Sequence, residues 1–269
     1  YESKEFMYVS SQFKKGSPPL KRAVVFPETG YFIYRDSWTS NTSFYFIFSS
    51  AYKHWSHKHN DDLSFILSLE GRDIFIDCGY FGYEYTDPNV RFGYSTFAHN
   101  TLSIDDSSLG VIDNQDKKYG QTYIERCSFD NESFSVAAIN NRWDQAVHKR
   151  NVYYSAVNSE IFVCDSVISK DSLNHKYQII YHLDENVIPT MKRDKVYLYD
   201  KINGRKIGSL FFSSESFMQI KLFYGDNDPN IKGIHKISDA QKGFNSHYVI
   251  VVEFFTDILS LKTKIKLVN

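Results

Sequence analysis

Apolar and polar positions along this chain alternate in short runs instead of recurring every three or four residues. The runs are built from β-branched and aromatic residues: Gly30 to Arg35, Ser43 to Ser49, Leu63 to Leu69, Asp73 to Asp77, Asn100 to Ile104 and Phe134 to Ile139 read as strands. Val152 to Val157, Ile161 to Ile168, Tyr177 to His182, Val196 to Tyr199, Ser209 to Phe212, Met218 to Phe223, His247 to Phe255 and Leu259 to Val268 continue the series. Glu70-Gly71-Arg72-Asp73 and Asn203-Gly204 fall between runs and predict hairpin turns, since asparagine and glycine tolerate positive φ. No convincing amphipathic helix interrupts the pattern. Closely spaced strands without crossover helices predict an all-β chain: a large antiparallel multi-sheet β-sandwich with no substantial helical domain.

Composition agrees with that reading. Aromatic residues make up 17% of the chain, with 20 Tyr and 22 Phe, a payload that suits pleated, half-buried surfaces. The 269 residues suffice for one large β domain, and no repeat or low-complexity linker divides them. Tyr1 to Arg22 differs in texture, being Lys-rich with a Gly-Ser-Pro-Pro break. It reads as a connector from an upstream domain, which leaves 23–269 as the sandwich. A formal net charge of -1 provides no global field for gripping nucleic acid, and no apolar run approaches the ~18 residues of a spanning helix. Cys78, Cys127 and Cys164 are too few and too scattered for a disulfide framework or a thiolate zinc site.

The chemistry concentrates between residues 54 and 99. His54, His57 and His59 fall within six residues and are followed by Asp61 and Asp62. If this stretch enters the Leu63 to Leu69 strand, His57, His59 and Asp61 point to one side, because side chains two apart share a face. Asp77 ends another run, and His99 opens a third after the irregular stretch Gly79 to Ser95. Two imidazoles and a carboxylate from adjacent strands make a three-ligand set for a zinc-type ion, and ligand chemistry favours His59, Asp77 and His99. His57 is then left beside the metal as a proton carrier. Asp61 and Asp62 read equally well as turn acids, while His148, His175 and His182 read as structural histidines hydrogen-bonded across a sheet.

His57-Lys-His59-Asn-Asp61-Asp-Leu-Ser-Phe65, Gly71, Asp77-Cys-Gly79, Tyr85, Arg91 and Ser95-Thr-Phe-Ala-His99-Asn-Thr101 resemble the carboxy-terminal domain of heparinase II/III-like polysaccharide lyases. His148-Lys-Arg150, Asp165, His175-Lys-Tyr177 and Tyr181-His182-Leu183 extend the resemblance over most of the chain. The resemblance implies a β domain that follows a helical toroid, with an acidic polysaccharide in the cleft between them. It implies zinc, with calcium as the alternative, at His59, Asp77 and His99, and His57 working beside the substrate. In relatives that cut alginate, a tyrosine before the last metal histidine takes part in proton transfer, and Tyr85 and Tyr94 are the candidates. Where the family carries an arginine just before the Ser-Thr pair, this chain has Tyr94, with Arg91 three residues earlier. Arg91 and Asn100 are the candidates for substrate contact.

The implied reaction is β-elimination at a uronic acid: the C5 proton is abstracted, charge builds on the carboxylate, and the C4 oxygen departs. Other carboxylate-neutralising and proton-exchanging groups of the family come from the helical domain, so this chain is expected to be half an active site, inactive alone. The family resemblance implies a periplasmic or secreted setting. Two other readings compete. A non-catalytic sugar-binding or structural sandwich would keep the histidine cluster as a folding staple. A cupin-type metal enzyme also uses His-x-His on a strand, but it usually adds a glutamate soon after the pair, where this chain has Asp61 and Asp62.

Overall fold

Burial in the fold repeats the alternation of the sequence. Along Ile258–Leu267, every second side chain from Leu259 to Leu267 is buried, while Ser260, Lys262 and Lys266 face solvent. The computed structural model describes residues 3–40, 43–50, 54, 57–110, 120–236 and 243–268. Its strands begin with β1 (Ala23–Phe26), β2 (Tyr31–Arg35), β3 (Phe44–Ser49), β4 (Ser64–Leu69), β5 (Arg72–Phe75) and β6 (Leu102–Ile104). They continue with β7 (Thr122–Phe129), β8 (Ser133–Asn140), β9 (Ala146–Ser155), β10 (Glu160–Ser169), β11 (His175–His182), β12 (Val187–Lys192) and β13 (Lys195–Asp200). Last come β14 (Lys206–Ser214), β15 (Met218–Tyr224), β16 (Ile234–His235), β17 (Asn245–Ser246), β18 (Tyr248–Thr256) and β19 (Ile258–Leu267).

All pairings between these strands are antiparallel. A five-stranded meander, β1 to β5, stands beside an eight-stranded sheet of order β12-β13-β14-β19-β10-β9-β8-β7 and a four-stranded sheet of order β15-β18-β11-β6. β16 and β17 form a small ribbon. Both hairpin turns expected from sequence are present: Glu70 and Gly71 link β4 to β5 at φ 54° and 72°, and Gly204, between β13 and β14, has φ 69°.

Aromatic contacts define the layers. The inner face of the meander meets β8 and β9, with Phe44 stacked on Tyr154 at 4.1 Å and Phe32 against Phe134 at 5.0 Å. Tyr181 of β11 packs on Phe75 on one side and on Phe212 of β14 on the other, and its hydroxyl lies 3.0 Å from Thr263. The long sheet therefore backs both smaller sheets. Its outer face is polar, and Lys262 and Lys264 lie over the Phe162 ring there. One polar face and one core face is the usual condition of antiparallel sheets.

Among the described residues, helix is confined to short pieces that the sequence pattern did not reveal: α1 (Lys4–Ser10), α2 (Pro88–Tyr94) and a single 3₁₀ turn at Thr96–Ala98. α2 lies within the stretch expected to be irregular. Asp87 caps it by accepting from Asn89 N–H at 2.8 Å, and Pro88 supplies the preset φ of a first helical residue. No helix among the described residues is long and apolar enough to cross a membrane. Of the irregular stretch Ser107 to Gly120, residues 111–119 lie outside the described residues.

Candidate active site and histidine clusters

The loop that carries the histidines is anchored from below. On the core face of the long sheet, Arg150 makes a two-pronged pair with Asp165, Nε to Oδ1 at 2.7 Å and Nη2 to Oδ2 at 3.2 Å. Its remaining reach goes to two backbone carbonyls, Leu63 O at 2.7 Å and Asn100 O at 2.6 Å. His148 Nε2 donates to the same Asp165 carboxylate at 2.7 Å. A second buried arginine, Arg142, bonds Asp62 and reaches Asn60 Oδ1 at 3.2 Å. These two guanidiniums fix the loop at Asn60, Asp62 and Leu63. Asp61 and Asp62 hold this loop: Asp62 pairs with Arg142 and Lys58, and Asp61 accepts from Lys58 and from Ser49 Oγ.

His57, His59 and Asp61 do not share the face of a strand, because β4 begins only at Ser64 and the backbone turns before it. His57 and Leu63 sit at φ 60° and 61°, an uncommon conformation for residues with a side chain. The consequence is divergence. His57 is exposed and lies edge-on to Tyr83 at 5.4 Å, whereas His59 is turned inward against Tyr94 at 4.3 Å and toward His99 at 5.5 Å.

Asp77 and His99 meet directly, His99 Nδ1 lying 2.6 Å from Asp77 Oδ2. The other Asp77 oxygen accepts from Gly79 N–H at 2.9 Å. Gly79 is required here: its φ is 83°, and a Cβ would meet Lys236 O at 2.7 Å. Burial alone would push the His99 pKa down, but the Asp77 carboxylate holds it above its ordinary value. Asp77, which burial would raise, is held low by His99. Burial and the neighbouring His99 charge bring His59 down to about 4, so it is a neutral ring at pH 7. His99 Nε2 is buried with no hydrogen-bond partner among the described residues.

This donor set suits zinc: a neutral imidazole, a second imidazole with an unused buried nitrogen, and a carboxylate. His59 and Asp77 each lie against His99, but the three do not bring one ligand atom apiece within 4.8 Å of one another. Among the described residues, the one group whose three ligand atoms all lie within 4.8 Å of one another is Cys78, His182 and His247. A Cys/His/His cluster was not expected from three scattered cysteines. It forms because residue 78, the end of β11 and the approach to β18 fold onto one point. Its histidines carry no local motif, and only the fold could have exposed it.

The remaining expected residues fall on two levels. Tyr85 is 52% exposed and packs on Tyr94 at 5.0 Å; Tyr94, at the end of α2, is half-buried. Burial and the adjacent Tyr85 raise the Tyr94 pKa well above its ordinary value. Arg91 is exposed on the last turn of α2. Asn100, expected at the substrate, instead locks the core: fully buried, it donates to Phe65 O and Ile76 O at 2.7 and 2.9 Å and accepts from His182 N–H at 2.6 Å. Its amide has no reach left for a ligand. Tyr83, exposed beside His57 and packed at 4.9 Å on the half-buried Tyr80, joins the rim; neither was singled out by sequence, although the tyrosine density of residues 80–94 was a usable signal.

The whole is an antiparallel β-sandwich with imidazoles, a carboxylate and tyrosines gathered on its rim loops. The family described as Heparinase II/III-like, C-terminal, matches residues 18–226, and the chain belongs to that family. The chain is similar to the heparin-sulfate lyase of Bacteroides thetaiotaomicron, 27% identical over 160 residues that cover 55% of this chain and 21% of that protein. It is also similar to the heparin-sulfate lyase of Bacteroides stercoris, 23% identical over 180 residues covering 64% of this chain and 25% of the relative. Among solved structures it superposes on heparinase III with a TM-score of 0.80 at 18% identity, covering 100% of this chain and 40% of that one. A heparan sulfate lyase from Pedobacter heparinus gives 0.76 at 16% identity, covering 99% and 40%. At such identities the superpositions establish the fold. The matched region spans a quarter or less of the curated relatives.

Proposed function

We propose that this chain is the β domain of a polysaccharide lyase that cleaves a uronic-acid-containing polysaccharide by β-elimination, contributing one wall of a cleft whose other wall is an upstream helical domain. The observation that carries this reading is the division of the cluster. His57, Tyr83 and Tyr85 are exposed on the rim, while His59, Asp77, His99 and Tyr94 form the better buried layer behind them. Family membership gives the chemistry that such a rim would serve.

Removing the C5 proton of a uronate leaves negative charge on the carboxylate, so the reaction needs cationic or hydrogen-bonding groups there and two proton carriers at the ring. His57 and Tyr85 are the proton carriers available on this wall, and Arg91 is a cation on the same loop for the carboxylate. Zinc held by His59, Asp77 and His99 would supply a fixed positive charge and would tie the two loops together. Tyr94, packed on His59 and raised in pKa, orients the loop instead of exchanging protons.

The test is to incubate the protein, with and without its upstream region, with heparan sulfate, alginate and other uronans while following the ultraviolet absorbance of the unsaturated product. Turnover by the longer protein alone supports the reading. Sugar binding without product from the longer protein would favour a non-catalytic module.

A further inference from the structure

Cys78, His182, His247 and His235 form a buried chain of titratable groups that the proposed reaction does not use. Relative exposures are 0%, 0%, 0% and 6%, so no substrate reaches them. The contacts run in sequence: His182 Nδ1 lies 3.4 Å from Cys78 Sγ and 2.9 Å from His247 Nε2, and His247 Nδ1 lies 3.1 Å from His235 Nδ1. At the far end His182 Nε2 is 2.8 Å from Phe97 O.

That last contact fixes the tautomer. A carbonyl can only accept, so His182 carries its proton on Nε2 and presents an unprotonated Nδ1 to both the thiol and His247. One lone pair thus faces two groups. Burial holds His182 down to about 4 and His247 down to about 2, so both rings are neutral, the form that binds metal. Each ring also has its second nitrogen held by an outer partner, Phe97 O for His182 and His235 for His247, which is how metal-binding histidines are commonly oriented.

We propose that Cys78 Sγ, His182 Nδ1 and His247 Nε2 bind a thiophilic divalent ion of the zinc class, at a structural site separate from His59, Asp77 and His99. With Zn–N near 2.0 Å and Zn–S near 2.3 Å, a tetrahedral ion separates its ligand atoms by roughly 3.3 to 3.5 Å; the sulfur–nitrogen spacing of 3.4 Å matches, and the 2.9 Å between the two imidazole nitrogens would open slightly on binding. On binding, the metal–sulfur bond replaces the S–H bond and the thiol proton leaves to solvent. In the metal-free chain the bare His182 Nδ1 accepts from His247 Nε2–H; on binding, the His247 proton would move to Nδ1, facing His235, and free Nε2 for the ion. Burial keeps the free thiol protonated, so uptake depends on the ion to remove that proton.

The ion would tie three distant segments: the turn after β5, the end of β11 and the approach to β18. It would also act on the rim, since Cys78 follows Asp77 and its N–H is bonded to Ala98 O beside His99. The site does not depend on the lyase reading.

Cobalt(II) loading of the full chain decides the matter, because only a thiolate ligand gives an intense sulfur-to-cobalt charge-transfer band. The expected result is such a band in the wild type, its retention in His59→Ala, and its loss in Cys78→Ser and His247→Gln with one equivalent less metal. Should those variants fail to fold, X-ray absorption of the zinc-loaded wild type should show one sulfur at about 2.3 Å. A wild-type protein without the band and without sulfur in the zinc shell would overturn the proposal, as would a band that persists in Cys78→Ser.

Discussion

Arg150 Nη1 lies 2.6 Å from the carbonyl oxygen of Asn100, the residue next to His99, while the same guanidinium is paired through Nε with Asp165 on the long sheet. The buried His99 is thereby held to the core of the sandwich by a buried charge. Removing Arg150 would strand the Asp165 carboxylate and release two backbone carbonyls. Arg150→Ala is therefore expected to cost about 3–5 kcal/mol in denaturant unfolding, the range for breaking a buried pair. A loss below about 1 kcal/mol would show that the pair does not anchor the loop.

The same network sets an acid limit. His148 donates to Asp165 through Nε2, and its Nδ1 is buried without a partner among the described residues, so protonating it would bury an unsatisfied donor. Burial lowers its folded pKa below the ordinary 6.5, and the unfolded chain therefore takes up the proton first. Stability should begin to fall as pH drops through 6.5. Asp165, which burial would raise, is held below 3.8 by Arg150 and His148; its contribution persists above 3.8 and is lost at lower pH. Melting temperature against pH, in wild type and His148→Gln, checks this: His59, His182 and His247 are also held low and add slope of the same sign, so the variant should show a shallower fall below pH 6.5, not a flat one.

Gly79→Ala probes the rim backbone. At φ 83°, with Lys236 O only 2.7 Å from the added Cβ, the substitution should destabilise the chain by about 1–3 kcal/mol. It should also weaken metal retention, since Gly79 N–H orients Asp77. Unchanged melting would mean that this turn tolerates an ordinary side chain.

The two tyrosines should separate in kinetics of the longer protein. Tyr85→Phe removes an exposed hydroxyl on the rim and is expected to lower kcat by about 10²-fold. Tyr94→Phe keeps the ring on His59 and should change kcat less than tenfold. The reverse ranking would move the proton-transfer role to Tyr94.

Much of this architecture was legible beforehand because burial follows side-chain alternation, as in Ile258–Leu267. Of the strands that escaped reading, β1, β7, β12, β16 and β17, two have clear physical reasons. β12 carries Pro189, tolerable because β12 is an edge strand, and β7, also at an edge, is interrupted by Glu125 and Arg126. α2 is seven residues long, too short for a periodic signal, although its Asp87-Pro88 start was readable. That His59 and Asp77 would both lie against His99 was readable from residue type and spacing. The inward turn of Asn100 was not, because hydrogen bonding to Phe65, Ile76 and His182 depends on three segments distant in sequence. The Cys78, His182 and His247 cluster was hidden for the same reason.

The proposed reaction puts the exposed His57 in the reacting half-site of a uronan lyase. Turnover of the longer protein and its His57→Ala variant on the uronan it cleaves tests this most directly. The expected outcome is a kcat lowered about 10²–10⁴-fold with melting temperature unchanged, as befits an exposed proton carrier. Wild-type turnover by the variant would remove His57 from the reaction.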